Sequence, residues 1–212
     1  MIEEAVKVLE AHVLPCISSS TQHLILLGDH LLLRPSVVEY ESATKYKLDV
    51  SLFERLISGG IKHVTLRCQR RMKPTISRLI NDIYPTLRDH SSVIKYEIIK
   101  GIRNDVFFLD HQAMEFQISN INGKINISEA QLVVELCVYL MRQGYKKRDI
   151  AILKIYKGRV SEIQRDLNDH LCPRNNQNEE IDDVASPTPR VCSLDNYQGE
   201  EVNIIILFLV RR

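Results

Sequence analysis

The chain has 212 residues, room for a domain or a domain and a half with a sizeable core, and its 44 % hydrophobic and 26 % charged content is that of a folded chain. Its 28 Lys and Arg against 27 Asp and Glu give a formal net charge of +1, which excludes a whole-molecule field toward nucleic acid or anionic lipid and leaves such binding to a local patch. Cys16, Cys68, Cys137, Cys172 and Cys192 form no C-x-x-C pair of the kind zinc uses and read as reduced thiols of a cytoplasmic or nuclear protein. The start, "MIEEAVKVLEAH", is acidic where a signal peptide is basic, and the longest apolar run, "IIILFLV" at 204–210, is far short of the roughly 20 residues of a membrane span. No membrane partner is expected.

In chain order, Val6, Leu9 and Val13 recur at helical spacing and predict an amphipathic helix beginning almost at Met1. "LILL" at 24–27 is apolar without alternation, which suits a strand covered on both faces in a parallel sheet. "ISEAQLVVELCVYLMRQGY" at 127–145 predicts a helix with Ser128 as N-cap and Gly144 as stop. Ala130, Val133, Val134, Cys137, Leu140 and Met141 share one face of it, while Leu132, Leu136 and Tyr139 cover much of the rest, so burial on more than one side is expected. "IAILKIY" at 150–156 reads as a buried strand, and "GRVSEIQRDLNDHL" at 158–171 as the helix after it. Residues 172–190 are polar, acidic and proline-bearing, the composition of a mobile surface loop. "VCSL" and "VNIIILFLV" are the last two strands.

This alternation predicts a doubly wound α/β sheet, in which ligands bind beyond the carboxyl ends of the strands. Asp29 and His30 end one predicted strand and "DNYQGEE" at 195–201 follows another, with Gly199 allowing close backbone approach. Spacing leaves a second reading of Gly28-Asp29 open, a plain turn in which Asp29 caps local backbone.

Three stretches resemble known motifs in the order those motifs take. "GDHLLLRP" at 28–35 resembles G-D-x-x-Q-L-x-P, "LRCQRRMKPTI" at 66–76 resembles Q-x-R-M-x-P-x-I, and "LDNYQGEEVNIIILFLVR" at 194–211 resembles D-x-[FY]-Q-G-x-E-x-D with its apolar strand and Val-Arg. All belong to superfamily 1 RNA/DNA helicases of the nonsense-mediated-decay (up-frameshift) type. "EEA…VLEAH", "LFERL" and "VVELC.YL" resemble in particular the NFX-type zinc-finger-containing helicase-like proteins.

The resemblance implies a RecA-like P-loop NTPase fold, α/β with a mostly parallel sheet flanked by helices. Residues 1–62 would be the C-terminal part of a first, incomplete RecA-like domain, and 63–212 a second one lacking the last motif. It implies ATP and Mg2+ in the intact family and RNA or single-stranded DNA as the track. Glu3 would face magnesium, Glu4 would orient the attacking water and Arg71 would reach the γ-phosphate, all three catalytic. Asp29, Gln69, Gly199 and Glu201 would bind nucleotide, and Arg34, Tyr156 and Gln198 nucleic acid. Without the family, the acidic pair reads as first-turn helix residues favoured by the helix dipole, "RCQRRMK" as a solvated or phosphate-facing surface, and Tyr156 as a buried strand-end tyrosine.

The departures are specific. No G-x-x-x-x-G-K-[ST] occurs in the 212 residues; the one Gly-Lys pair is Gly123-Lys124, with Ile118 where the first glycine would stand. Leu32 replaces the glutamine that senses the γ-phosphate, Lys154 a threonine, Arg159 a glutamine and Asn203 an aspartate. The isolated chain is therefore expected not to turn over ATP. It is either a slice of a working helicase or a degenerate relative that binds RNA or protein. A half-domain would expose apolar faces, so missing helicase segments or a protein partner are expected to cover it.

Overall fold

Residues 1–117, 124–155 and 189–209 are described by the computed structural model. Tyr156, the expected helix at 158–171 and residues 172–188 of the acidic loop lie outside the described residues; Arg190, that loop's last residue, opens a strand. The chain divides into two compact units, Met1–Met72 with Ser77–His90, and Lys73–Ile76 with Ser91–Arg212. The expected division after residue 62 thus falls inside the first unit.

In the first unit, Ile2 pairs in parallel with Leu26, its N–H donating to Ile25 O at 2.8 Å and its carbonyl accepting from Leu27 N at 2.8 Å. The single helix expected from Met1 is not formed. A 3-10 turn Ala5–Lys7 stands in its place, followed, after extended backbone at Val8 and Leu9, by helix α1 (Glu10–Val13), which runs directly into a 3-10 turn Leu14–Cys16. The cause is competition: the first residues are drawn into pairing with Leu26, and Pro15 has no N–H for a continuing helix. The periodicity still marked burial, since Val6 and Val13 are fully enclosed.

Residues 24–27 are likewise not the doubly covered strand expected. Leu24, Ile25 and Leu27 are half-exposed, because among the described residues the run is paired only through the bridge at Leu26. Helices α2 (Tyr40–Tyr46) and α3 (Leu52–Ser58) follow. Buried Ser51 caps α3 by accepting from Glu54 N at 3.1 Å, as a serine ahead of an apolar helix start should. Two short parallel strands, β1 (Cys68–Gln69) and β2 (Arg88–Asp89), place Gln69 opposite Asp89.

Helix α4 (Pro74–Ser77) comes between β1 and β2 in the chain. The second unit holds helix α5 (Ser91–Ile94), an antiparallel pair β3 (Phe116–Gln117) and β4 (Lys124–Ile125), helix α6 (Ile127–Arg142), and strands β5 (Ile150–Lys154), β6 (Arg190–Ser193) and β7 (Ile204–Phe208). Helix α7 (Leu194–Tyr197) lies between the last two strands. The sheet order is β6-β5-β7, parallel throughout.

The cap of α6 is Asn126, not Ser128: buried Asn126 accepts from Glu129 N at 3.1 Å while its amide donates to Ala113 O at 3.1 Å. Gly144, at φ +98°, does end the helix, with its N–H on Met141 O and that of Tyr145 on Leu140 O, the paired bonds of a Schellman motif. Ala130, Val133, Val134, Cys137 and Leu140 pack on Ile150, Ile152, Val191, Ile204, Ile206 and Phe208, so one face of α6 meets one face of the sheet. Leu132 and Tyr139 are exposed, which corrects the expectation of burial on several sides. On the other sheet face Ala151, Leu153 and Cys192 meet Tyr197. The middle strand β5 is buried at every residue, whereas β7, despite its unbroken apolar sequence, alternates, with Ile205 and Leu207 outside.

Candidate functional site

In the first unit the pairing of Ile2 with Leu26 sets Glu3 and Glu4 beside the turn at Gly28, for the next residue, Ala5, donates its N–H to Leu27 O at 2.8 Å. A Cβ on Gly28 would lie 3.2 Å from Val6 N and 3.3 Å from Ala5 N, so glycine is what lets this turn close against the acidic segment. Glu3 is exposed; Glu4 is half-buried and left-handed at φ 50°, a conformation that costs a non-glycine residue about 1–2 kcal/mol.

Asp29 does what the plain-turn reading requires and something more. Its Oδ1 accepts from Leu31 N at 3.0 Å, and its Oδ2 accepts from the Tyr84 hydroxyl at 2.7 Å. Burial first, and then the Asp29 carboxylate, push the Tyr84 phenol up to about 12. His30 is exposed. Arg34 turns its guanidinium on its own unit: Nε and Nη2 make a fork on Glu54 at 3.0 and 2.5 Å, and Nη1 reaches Asp49 at 3.1 Å. These carboxylates, Glu54 first, raise its pKa further.

Gln69 ends β1, and Arg71 lies in the loop after it. The Gln69 amide is wholly engaged by neighbours: Oε1 accepts from Arg71 N at 2.9 Å and Met72 N at 2.8 Å, while Nε2 donates to Met72 O at 2.7 Å and Asp89 Oδ1 at 2.6 Å. Arg71 is exposed at the tip of this loop.

In the second unit, buried Tyr197 anchors the turn that carries Gln198, Gly199 and Glu201. Glu200 N returns to Tyr197 O at 3.1 Å, and Gly199 has φ +90°, which favours glycine. Gln198 is half-buried; Gly199 and Glu201 are exposed. Glu200 pairs with Arg190. Two of the residues that depart from the family pattern have partners in the second unit: Asn203 donates to Asp149 Oδ1 at 3.0 Å, where an aspartate would set two carboxylates together, and buried Lys154 holds its ammonium 5.5 Å over the Phe208 ring.

Sequence reasoning did not mark Tyr84, Asp89 or Glu129. Glu129 is buried at the first turn of α6 and accepts from Leu209 N at 2.9 Å, tying the helix to the chain just past β7. Tyr84 and Asp89 act on residues far away in the chain, and no local pattern signals that. Among the described residues, no group of three or more His, Cys, Asp and Glu is arranged to hold a metal. The donor set fits a magnesium triphosphate in part: Glu3 and Arg71 present exposed groups, whereas Asp29 and Gln69 direct theirs at their own loops.

A family profile described as an AAA domain matches residues 48–212. The chain is 43 % identical over 212 residues to NFX1-type zinc finger-containing protein 1 of Mus musculus, covering 100 % of this chain and 10 % of that protein. It is 36 % identical over 214 residues to the helicase required for RNAi-mediated heterochromatin assembly 1 of Schizosaccharomyces pombe, covering 99 % of this chain and 20 % of that protein. To the regulator of nonsense transcripts 1 homolog of Arabidopsis thaliana it is 28 % identical over 220 residues, 100 % of this chain and 17 % of that protein. The chain spans a fifth or less of each of these relatives. With that family match over most of its residues and helicase relatives aligned along its whole length, the chain belongs to the AAA-domain family of P-loop NTPases, on its superfamily 1 helicase branch.

Proposed function

We propose that this chain works within an ATP-dependent superfamily 1 helicase that moves along or remodels RNA, or single-stranded DNA, and that the 212 residues alone do not turn over ATP. The observation that carries the reading is the order of three motifs, the second of which presents Arg71 exposed on a loop whose backbone is held by Gln69. In this reading residues 1–62 belong to a first RecA-like domain and 63–212 to a second. Glu3 holds magnesium, Glu4 positions water and Arg71 meets developing phosphate charge with its planar fork. Gly199 and Glu201 serve the nucleotide; Gln198, Tyr156 and Arg34 serve the nucleic acid, Arg34 by shaping its loop through Glu54 and Asp49. Relatives named as a helicase and as a regulator of nonsense transcripts support RNA as the substrate class.

A second reading, an RNA-binding or protein-docking relative without ATPase function, is favoured by Leu32 in place of the phosphate-sensing glutamine. A leucine can neither donate nor accept that hydrogen bond. The test is titration of the chain with single-stranded RNA at several salt concentrations, alongside phosphate release. Binding that weakens steadily with salt is expected, as phosphate contacts release counterions. Salt-independent behaviour would favour protein docking. Magnesium-dependent, RNA-stimulated phosphate release lost in Glu4→Gln would overturn the claim that the chain alone is inactive.

A further inference from the structure

The geometry points to Asp89 as a positioning residue that acts through Gln69 to preset the loop carrying Arg71. Its meaning for catalysis rests on the reading of Arg71 as the phosphate-facing arginine. A glutamine amide has two N–H donors and one oxygen with two lone pairs, and Gln69 has all four engaged, at 2.6–2.9 Å. The orientation of the amide is unambiguous, because its oxygen faces two backbone N–H groups and its nitrogen faces a carbonyl and a carboxylate. Reversed, it would meet donors with donors and acceptors with acceptors.

Asp89 is the only one of these partners that comes from outside the loop. It stands opposite Gln69 in the β1–β2 pairing, where Arg88 N donates to Arg67 O at 2.7 Å and His90 N to Gln69 O at 3.0 Å. A carboxylate acceptor makes the stronger, charge-assisted kind of hydrogen bond. A short relay results: β2 holds Asp89, Asp89 holds the Gln69 amide, and the amide holds the N–H groups of residues 71 and 72. An arginine whose backbone is already ordered loses less freedom when it meets an anion, which is how a supporting residue improves a contact it never touches. Gln69, expected from its motif to bind nucleotide, is the link in this relay.

The sign of the charge effect makes the idea testable. Removing the Asp89 carboxylate also removes a negative charge near Arg71, so electrostatics alone predicts tighter anion binding for both Asp89→Ala and Asp89→Asn. The relay predicts the opposite for alanine, and near-unchanged binding for asparagine, whose side-chain oxygen can still accept from Nε2. The experiment follows amide hydrogen exchange at residues 71 and 72 of the full 212-residue chain, together with binding of inorganic tripolyphosphate, in Asp89→Ala, Asp89→Asn, Gln69→Glu and Arg71→Ala. Helix α6 amides report whether the fold persists. Expected are exchange about fivefold faster in Asp89→Ala and Gln69→Glu, protection kept in Asp89→Asn, and tripolyphosphate binding weakened several-fold in Asp89→Ala as in Arg71→Ala. Unchanged exchange at residues 71 and 72 in Asp89→Ala, or tighter binding in both Asp89 variants, overturns the relay. If Arg71→Ala leaves tripolyphosphate binding intact, the phosphate reading of Arg71 falls, and the exchange rates by themselves decide for or against the relay.

Discussion

Residues 24–27, "LILL", and 150–153, "IAIL", are nearly the same string, yet Leu24, Ile25 and Leu27 are 41–51 % exposed while all four residues of the second run are at 3 % or less. The second run has a strand on each side, helix α6 on one face and Tyr197 on the other. The first has the bridge to Ile2. An apolar run states a demand for cover, and the tertiary neighbours decide whether that demand is met. The two units thus differ in what stabilises them: a packed sheet core in the second, and in the first a few enclosed side chains such as Val6 and Val13 with side-chain hydrogen bonds such as Tyr84 to Asp29 and Gln69 to Asp89.

The largest expected effect sharpens this contrast directly. Leu140→Ala, at a fully enclosed position facing the sheet, should cost about 2–5 kcal/mol in urea unfolding, whereas Leu27→Ala, half in solvent, should cost less than about 1 kcal/mol. Equal losses would break the comparison. Next in size, Tyr84→Phe should cost about 1 kcal/mol through the bond to Asp29. Because the folded state raises the phenol's pKa, its contribution is whole below pH 10.0 and is lost as pH rises toward about 12. The Phe variant should therefore lack that part of the alkaline fall in stability, and an identical alkaline profile would show that Tyr84 contributes nothing there. The smallest effect leaves stability alone. Exposed Cys16 and Cys68 should react quickly with a thiol reagent, while Cys137, enclosed in the core with its thiol pushed up to about 11 by burial, should react only as the second unit opens. Rapid labelling of Cys137 in the folded chain would mean that this core is looser than its packing implies.

Helix α6 was legible because its signals are local: an apolar face at helical spacing and a glycine at the stop. Even so, the cap expected at Ser128 is Asn126, whose oxygen accepts from Glu129 N while its amide nitrogen reaches Ala113 O. The first helix was misread because periodicity reports which side chains are enclosed, and Val6 and Val13 are enclosed without a continuous helix joining them. For the site, motif resemblance singled out Asp29, Gln69, Arg71 and Gly199. It did not show where their polar atoms point. Gln69 and Arg34 direct theirs inward, to Asp89 and to Glu54 with Asp49, because those partners lie 20 and 15–20 residues away in sequence and only folding brings them near.

The sequence by itself determined the family, the parallel α/β class and the buried strand β5, since motif order, hydrophobic pattern and turn chemistry are properties of neighbouring residues. Only the tertiary structure decided which apolar runs are covered, which oxygen of Asp29 meets Tyr84 and which residue presets the Arg71 loop. Those outcomes depend on side chains meeting across long stretches of chain, and no local pattern of residue types encodes such meetings.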